Sequence, residues 1–304
     1  MTGWTRRRVL GAGAAGLLVP SLVHARPRRR SRLVLLGTKG GPTPNRFRAP
    51  ASNLLVVDGE PYVIDAPDGV ASRLVQAGID LARLRNLFVT HNHSDHNAGL
   101  GALLILAWGS GLQDQVDLYG PAPLRRLVAA QLAANAYDIQ VRRAEEGRPP
   151  LAPLVRVHEI SAGPAMARNG VRVRCALADH LTVPNYAYRF DTPDRSFVFS
   201  GDTRPSEALI ALARGADVLV HEVMLPSALG GIVDRNAPRV IDHILRSHTT
   251  TEELGRVAAA AGVRTLVLSH LVPAFPSITD DMWLEGARRH FSGEIIVGRD
   301  MMEL

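Results

Sequence analysis

The sequence predicts an α/β protein made of two β-sheets, each covered by helices on its outer face. Two observations carry this reading. Strand-like runs dominate the first part of each half of the chain, with segments of helical apolar spacing after them, and the second half repeats the style of the first. The 304 residues suit one large domain or two small ones, and the 46% hydrophobic share is enough for a sizeable core.

In chain order, Leu33–Leu36 reads as a strand, followed by a Gly/Pro/Asn loop over 37–50. Asn53–Val57 and Pro61–Asp65 flank Asp58-Gly59, a hairpin turn signal. Val70–Gly78 has helical spacing, and Leu87–Thr90 is a short buried-type strand. Leu100–Trp108 reads as a helix, Val116–Tyr119 as a strand and Pro123–Tyr137 as a helix, while the charged, Pro-rich stretch 144–153 reads as a loop. Strands are expected at Val171–Ala178, Tyr186–Phe190, Ser196–Ser200, Val218–His221, Leu266–Leu268 and Ile295–Val297. Thr250–Ala261 reads as a helix, with Thr249 or Thr250 as cap and Glu252 and Glu253 in its first turn. The single cysteine, Cys175, lies in an alternating run and is expected in the core; it excludes an intramolecular disulfide and cysteine-based zinc fingers.

Charge is distributed unevenly. Residues 1–32 hold eight arginines and no acid, which leaves 27 basic against 29 acidic residues in the remaining 272. The body therefore lacks the basic field usual for nucleic-acid enzymes, and a nucleic-acid substrate is not expected. Thr5-Arg6-Arg7-Arg8-Val9-Leu10-Gly11 precedes an apolar stretch too short and too rich in Gly and Ala to span a membrane, and Val23-His24-Ala25 offers a small-x-small cleavage site. This resembles a bacterial Tat signal, which implies passage through the Tat translocase to the periplasm or beyond. The expected organisation is a leader over 1–25, a basic flexible segment over 26–32 and one folded domain over 33–304. The sequence leaves the oligomeric state open, a homodimer included.

The chemistry concentrates in His91-Asn92-His93-Ser94-Asp95-His96, directly after a predicted strand. Imidazole and carboxylate are good zinc ligands. His91 and His93 at i and i+2 can face one ion, and Asp95 and His96 can turn toward a second. His180, Asp202 and His270 each follow a predicted strand, where loops gather at one sheet edge.

This run resembles the signature of the metallo-β-lactamase-fold hydrolases, and the resemblance extends over nearly all of 33–304. Leu36-Gly37-Thr38 and Gly40-Gly41-Pro42 are similar to the family's first strand end and glycine turn; Lys39 between them has no assigned role. Val63-Ile64-Asp65-Ala66 is similar to the strand-ending Asp that supports the metal loop. Ala178-Asp179-His180, Ser200-Gly201-Asp202-Thr203 and Leu268-Ser269-His270 are similar to the later ligand motifs. The resemblance implies a four-layer αββα sandwich of two mixed sheets. It implies two divalent ions, zinc first and manganese or iron as alternatives: His91, His93 and His180 on one, Asp95, His96 and His270 on the other, and Asp202 bridging. Two such ions can hold a hydroxide near neutral pKa for attack on an anionic ester, with Asp95 orienting it.

Val220-His221-Glu222-Val223 and Ser247-His248-Thr249-Thr250 resemble two motifs of the ribonuclease Z branch, whose Glu and His pair beside the leaving group. His248, polarised by Glu222, is thus the candidate general acid. Val223-Met224, Ser247 and Thr249 depart from that branch's residues, at the leaving-group pair and not at the metal site. His221 and His243 are expected to be structural. No arm-like Gly/Pro/Lys-rich insertion is evident, and the segments around Trp283, 291–300 and Ser269–Pro273 are similar to exported arylsulfatase-like relatives. The expected function is therefore an exported hydrolase of small sulfate or phosphate esters. The alternatives are a phosphodiesterase or ribonuclease Z-like endonuclease, a lactonase or β-lactamase, and a metal-binding protein without turnover.

Overall fold

The structure is a computed structural model that describes residues 31–232 and 237–304. The expected leader and most of the expected basic segment lie outside the described residues. Ser31 and Arg32, assigned to that segment, are ordered: Ser31 is buried and bonded to Asp194, and Arg32 opens the first strand. No helix among the described residues is long and apolar enough to cross a membrane.

Among the described residues, fourteen strands form two seven-stranded sheets. The first contains β1 (Arg32–Gly37), β2 (Ser52–Val57), β3 (Glu60–Ile64), β4 (Asn86–Phe88), β5 (Val116–Gly120) and β6 (Val155–Glu159), edged by β14 (Met302–Glu303). The second contains β7 (Gly163–Arg168), β8 (Val171–Ala178), β9 (Asn185–Asp191), β10 (Ser196–Phe199), β11 (Val218–Met224), β12 (Thr265–Val272) and β13 (Glu294–Val297). The strand orders are 14-1-2-3-4-5-6 and 7-8-9-10-11-12-13. In each sheet three antiparallel pairings are followed by three parallel ones. The switch falls between β3 and β4 in one sheet and between β10 and β11 in the other.

The helices are α1 (Val70–Gln76), the one-turn α2 (Ser94–Asn97), α3 (Leu100–Gly109), α4 (Leu124–Ala134), α5 (Ala136–Glu146), α6 (Glu207–Ala213), α7 (Val240–Ser247), α8 (Thr251–Ala261) and α9 (Asp280–Arg288). Alternation along the strands divides the apolar residues into layers. Leu33, Leu35, Leu55, Tyr188, Phe190 and Phe197 pack between the sheets, whereas Val34, Leu54 and Val63 face α1, α3 and α4. Val198, Leu219 and Leu266 face α6, α8 and α9 on the other side. The result is the four-layer αββα sandwich. Aromatics fill its centre: Phe88 meets Tyr188 and Phe190 edge-on at 5.3 and 5.0 Å. Cys175 lies in this inter-sheet layer, as expected.

Several expectations are corrected. The helix expected over 123–137 is two helices, α4 and α5, joined at Asn135, and α5 runs to Glu146 into the expected loop. α5 buries no residue; Arg142 bonds Asp138 and Glu146 one turn away on either side, which supports a solvated helix. The strand expected over 87–90 ends at Phe88, and β11 continues through Glu222 to Met224. The sequence pattern does not announce β6, β7, β14, α2, α6, α7 and α9. Thr250, not Thr249, caps α8, in a reciprocal box with Glu253.

Candidate metal centre

The predicted site residues gather at one rim of the sandwich, most of them just past a strand, with Glu222 and His270 inside β11 and β12 and His248 at the end of α7. β3 delivers Asp65, β4 the 90–96 loop, β8 His180, β10 Asp202 and β12 His270. Local chemistry holds the first loop in place. Asp65, at φ +64°, accepts from the Thr90 amide at 2.7 Å through Oδ1, while its Oδ2 lies 2.8 Å from His96 Nδ1. Thr90 Oγ1 stands 3.0 Å from His91 Nδ1. The Ser247 carbonyl lies 3.2 Å from His180 Nδ1. These contacts occupy the Nδ1 atoms and turn each Nε2 inward. Gly201, at φ +60°, has no room for a side chain, since a Cβ there would lie 2.1 Å from Asn185 Oδ1. That close turn after β10 brings Asp202 into the interior.

All seven predicted residues converge. His91, His93 and His180 form one group of mutually close donor atoms; Asp95, His96, Asp202 and His270 form a second. His93 Nδ1 lies 3.0 Å from His91 Nε2 and 3.3 Å from His180 Nε2. Asp202 faces both groups: Oδ1 is 3.4 Å from His96 Nε2 and 3.2 Å from His270 Nε2, and Oδ2 is 3.9 Å from His91 Nε2. Asp95 Oδ2 lies 3.6 Å from His96 Nε2 and 3.5 Å from His270 Nε2.

The protein's own electrostatics suit cations. Burial, with the neighbouring imidazoles, holds His91 well below the ordinary histidine range, against the pull of Asp202. Burial also lowers His93 and His180, so these three stay neutral and able to donate lone pairs. Burial would raise the Asp202 carboxyl, but His270 and His96 hold it well below its usual value. Asp95 is likewise lowered despite its burial, by His96 and His270. His96 is raised in spite of burial, because Asp202, Asp65 and Asp95 surround it. His96 Nε2 and Asp202 Oδ1 are buried without hydrogen-bond partners. Buried polar atoms of this kind call for a partner. Three imidazoles sharing one carboxylate with an imidazole-carboxylate set fit a pair of divalent transition-metal ions.

The Glu222–His248 pair adjoins this cluster. Glu222 Oε1 accepts from the amides of Thr203 (3.1 Å) and Thr249 (3.0 Å) and lies 3.3 Å from His248 Nδ1. Both residues are buried. Burial disfavours a charged His248, but Glu222 outweighs it and lifts the ring to about 9. The His248 ring stacks against His270 at 5.7 Å. His221 is buried with Nδ1 2.7 Å from its neighbour's carbonyl, and His243 is exposed with its ring 6.4 Å from His180.

A cleft of about 360 Å³ opens beside Ser94 and Asp95, walled by the 42–50 loop, Asp68 and Arg73. Arg73 is tied to Asp300, and Arg48 to Thr38 and the Gly298 carbonyl. Arg46 lies over the half-exposed ring of Phe47, 4.9 Å from its centre. Sequence reasoning missed this wall. It also missed Lys39, buried beside the His270 end of β12, and the Thr203 and Thr249 amides that hold Glu222. The two amides follow the Asp202 and His248 motifs by one residue, which is the signal that points to them.

Comparison with known proteins gives a consistent picture. The family model described as a beta-lactamase superfamily domain matches residues 62–271. A protein named Ribonuclease Z from Mycobacterium bovis (strain BCG / Pasteur 1173P2) is 36% identical over 273 residues, covering 88% of this chain and 96% of its own. Its namesake from Mycobacterium avium is 37% identical with the same coverage. Among solved structures, the metallo-beta-lactamase fold protein YhfI from Bacillus subtilis has a TM-score of 0.67 at 21% identity, covering 90% of this chain and 98% of its own. The short form of human tRNase Z has 0.65 at 18%, with the same coverage. These last two likenesses concern the fold.

Proposed function

The chain belongs to the metallo-beta-lactamase superfamily, among the relatives named ribonuclease Z, and on that premise we propose that it is a binuclear metal-dependent phosphodiesterase acting on RNA. The single observation that carries the reading is the pair of His/Asp clusters sharing Asp202, with Glu222–His248 alongside. The names of the relatives support phosphodiester over aryl sulfate as the ester cleaved, and count against the expectation that nucleic acid is not a substrate. Zinc is the proposed metal, held by His91, His93 and His180 on one side and Asp95, His96 and His270 on the other, with Asp202 between them.

When bound, such ions lower the pKa of water and offset the negative charge of a phosphodiester. The chain's residues do the rest. Asp65, Thr90 and the Ser247 carbonyl orient the imidazoles. Asp95, ionised and aimed inward, is placed to hold the attacking water. His248 carries a proton at neutral pH and can pass it from Nε2 to the departing oxygen, while Glu222 stabilises the charged ring. Export through the twin-arginine leader remains part of the proposal, resting on residues 5–25.

The test is a substrate screen of the zinc-loaded protein with an Asp202→Ala control. A structured RNA with a 3′ extension and bis(p-nitrophenyl) phosphate should be cleaved well above p-nitrophenyl sulfate, a lactone and a β-lactam, and the control should be inactive. Preferential cleavage of the sulfate, or a purified protein that takes up no transition metal, refutes the proposal.

A further inference from the structure

Of the chain's 35 basic residues, Lys39 is the only lysine. It is also buried, at 3% exposure, whereas no arginine among the described residues is buried. A cation withdrawn from water needs compensating partners. Its position shows what they are. The Lys39 amide donates to Ala49 O and its carbonyl accepts from Ala51 N, each at 2.9 Å, so the backbone is fixed on one side by the 49–51 segment. On the other side Leu271 N donates to Thr38 O (2.9 Å) and Gly40 N to Leu271 O (3.1 Å). The side chain then folds over the following turn. Nζ donates to the carbonyl of Gly40 at 3.0 Å and to that of Gly41.

That turn is the wall behind one predicted ligand. A Cβ on Gly40 would stand 2.7 Å from His270 Nδ1 and 2.4 Å from Val272 Cγ2, so bare backbone presses on the imidazole. The Gly41 amide points at His270 Nε2 from 3.4 Å. His270 itself sits at φ +44°, a backbone conformation that its surroundings must hold. We propose that Lys39 is a positioning residue: its ammonium clamps the Gly40–Gly41 turn against the His270 ring and so sets the geometry of the ion site that His270 completes. An ammonium is compact and offers its donors to two adjacent carbonyls; a flat guanidinium fork is larger and does not match them. This explains a lysine here in a chain that otherwise uses arginine. Burial lowers the Lys39 pKa, and the nearby Asp95 carboxylate opposes that.

The inference rests on the two-ion reading above, and the experiment separates the two. Zinc is titrated calorimetrically into the metal-free full chain, as wild type, Lys39→Met and Lys39→Arg. The wild type should take two equivalents. Both variants should bind one equivalent as the wild type does and the other roughly 10–100-fold more weakly, since loss of an outer support typically costs that much affinity. If Lys39 only adds charge, Lys39→Met binds zinc more tightly and Lys39→Arg behaves as the wild type; either result overturns the proposal, as do two variants with unchanged affinities. A wild type that binds no zinc overturns the two-ion reading itself. Should neither variant fold, ¹⁵N-lysine labelling of the wild type gives one side-chain ammonium resonance. It should move as zinc is added, and a resonance fixed throughout the titration refutes the clamp.

Discussion

Replacing Glu222 by Gln isolates the role of the carboxylate charge. Gln keeps an oxygen for the Thr203 and Thr249 amides, which now donate to Oε1. Its amide nitrogen would stand where Oε2 is buried without a partner, which costs about 1–3 kcal/mol of stability and leaves the fold intact. The chemical effect is larger. Glu222 holds His248 at about 9, against a burial that pulls downward. A raised histidine pKa means the protonated ring is present across neutral pH and is lost as pH rises through that value. At pH 8 the wild-type ring is about nine-tenths protonated, whereas a ring at the ordinary value of ~6.5 is only about 3% protonated. The variant should therefore have roughly 30-fold less acid at pH 8, with burial then opposed only by Asp202 and Asp95. The alkaline limb of kcat should move from near 9 to below 7. Loss of a general acid costs about 10²–10⁴-fold for a poor leaving group. RNA, with its poor alkoxide leaving group, should lose that much. Bis(p-nitrophenyl) phosphate, whose phenolate leaves unprotonated, should lose only a few-fold. Equal losses on both substrates, or an unmoved alkaline limb, would refute the acid assignment and leave the pair a structural one.

Asp65→Asn removes the charge that steadies His96, and metal affinity should fall by roughly 10–100-fold in a zinc competition assay, with secondary structure by circular dichroism unchanged. Arg46→Ala should raise KM for RNA several-fold and flatten its salt dependence, with little effect on bis(p-nitrophenyl) phosphate, because the larger anion reaches the cleft that Arg46 overhangs. Away from the site, His158 and Arg168 each bond Asp117 at 2.8 Å and hold its carboxyl below the usual range despite burial. A lowered folded-state value stabilises above the unfolded value and is lost as pH falls through the folded one. Asp117→Asn should thus destabilise the metal-free protein to urea at pH 7, and the difference from wild type should begin to shrink only as pH falls below about 4.

The elements read correctly from sequence are those whose pattern is local. β8 alternates buried and exposed residues almost perfectly, and the β2–β3 hairpin announces itself through Asp58-Gly59. The seven inward-facing site residues were legible for the same reason, each lying in a short motif at a strand end. β6 and β7 escaped because they are half-exposed edge strands with little periodicity, and β14 because two residues acquire a strand only by pairing with Val34 and Leu35 far back in the chain. The extension of α5 to Glu146 is accompanied by surface ion pairs that apolar spacing ignores. Lys39 has no legible role in the sequence because sequence gives no measure of burial, and its partners are carbonyls, which every residue has.

The mirrored strand order of the two sheets has a mechanical corollary. Asp65 leaves β3 and Asp202 leaves β10 at matching places beside the switch in pairing direction. The first half of the chain supplies His91, His93, Asp95 and His96, and the second supplies His180, Asp202 and His270. Neither half alone carries either full set of donors. Ions seated there would act as rivets through the sandwich, so their binding free energy would be spent holding the halves together, and force applied to peel one sheet from the other would meet the metals first.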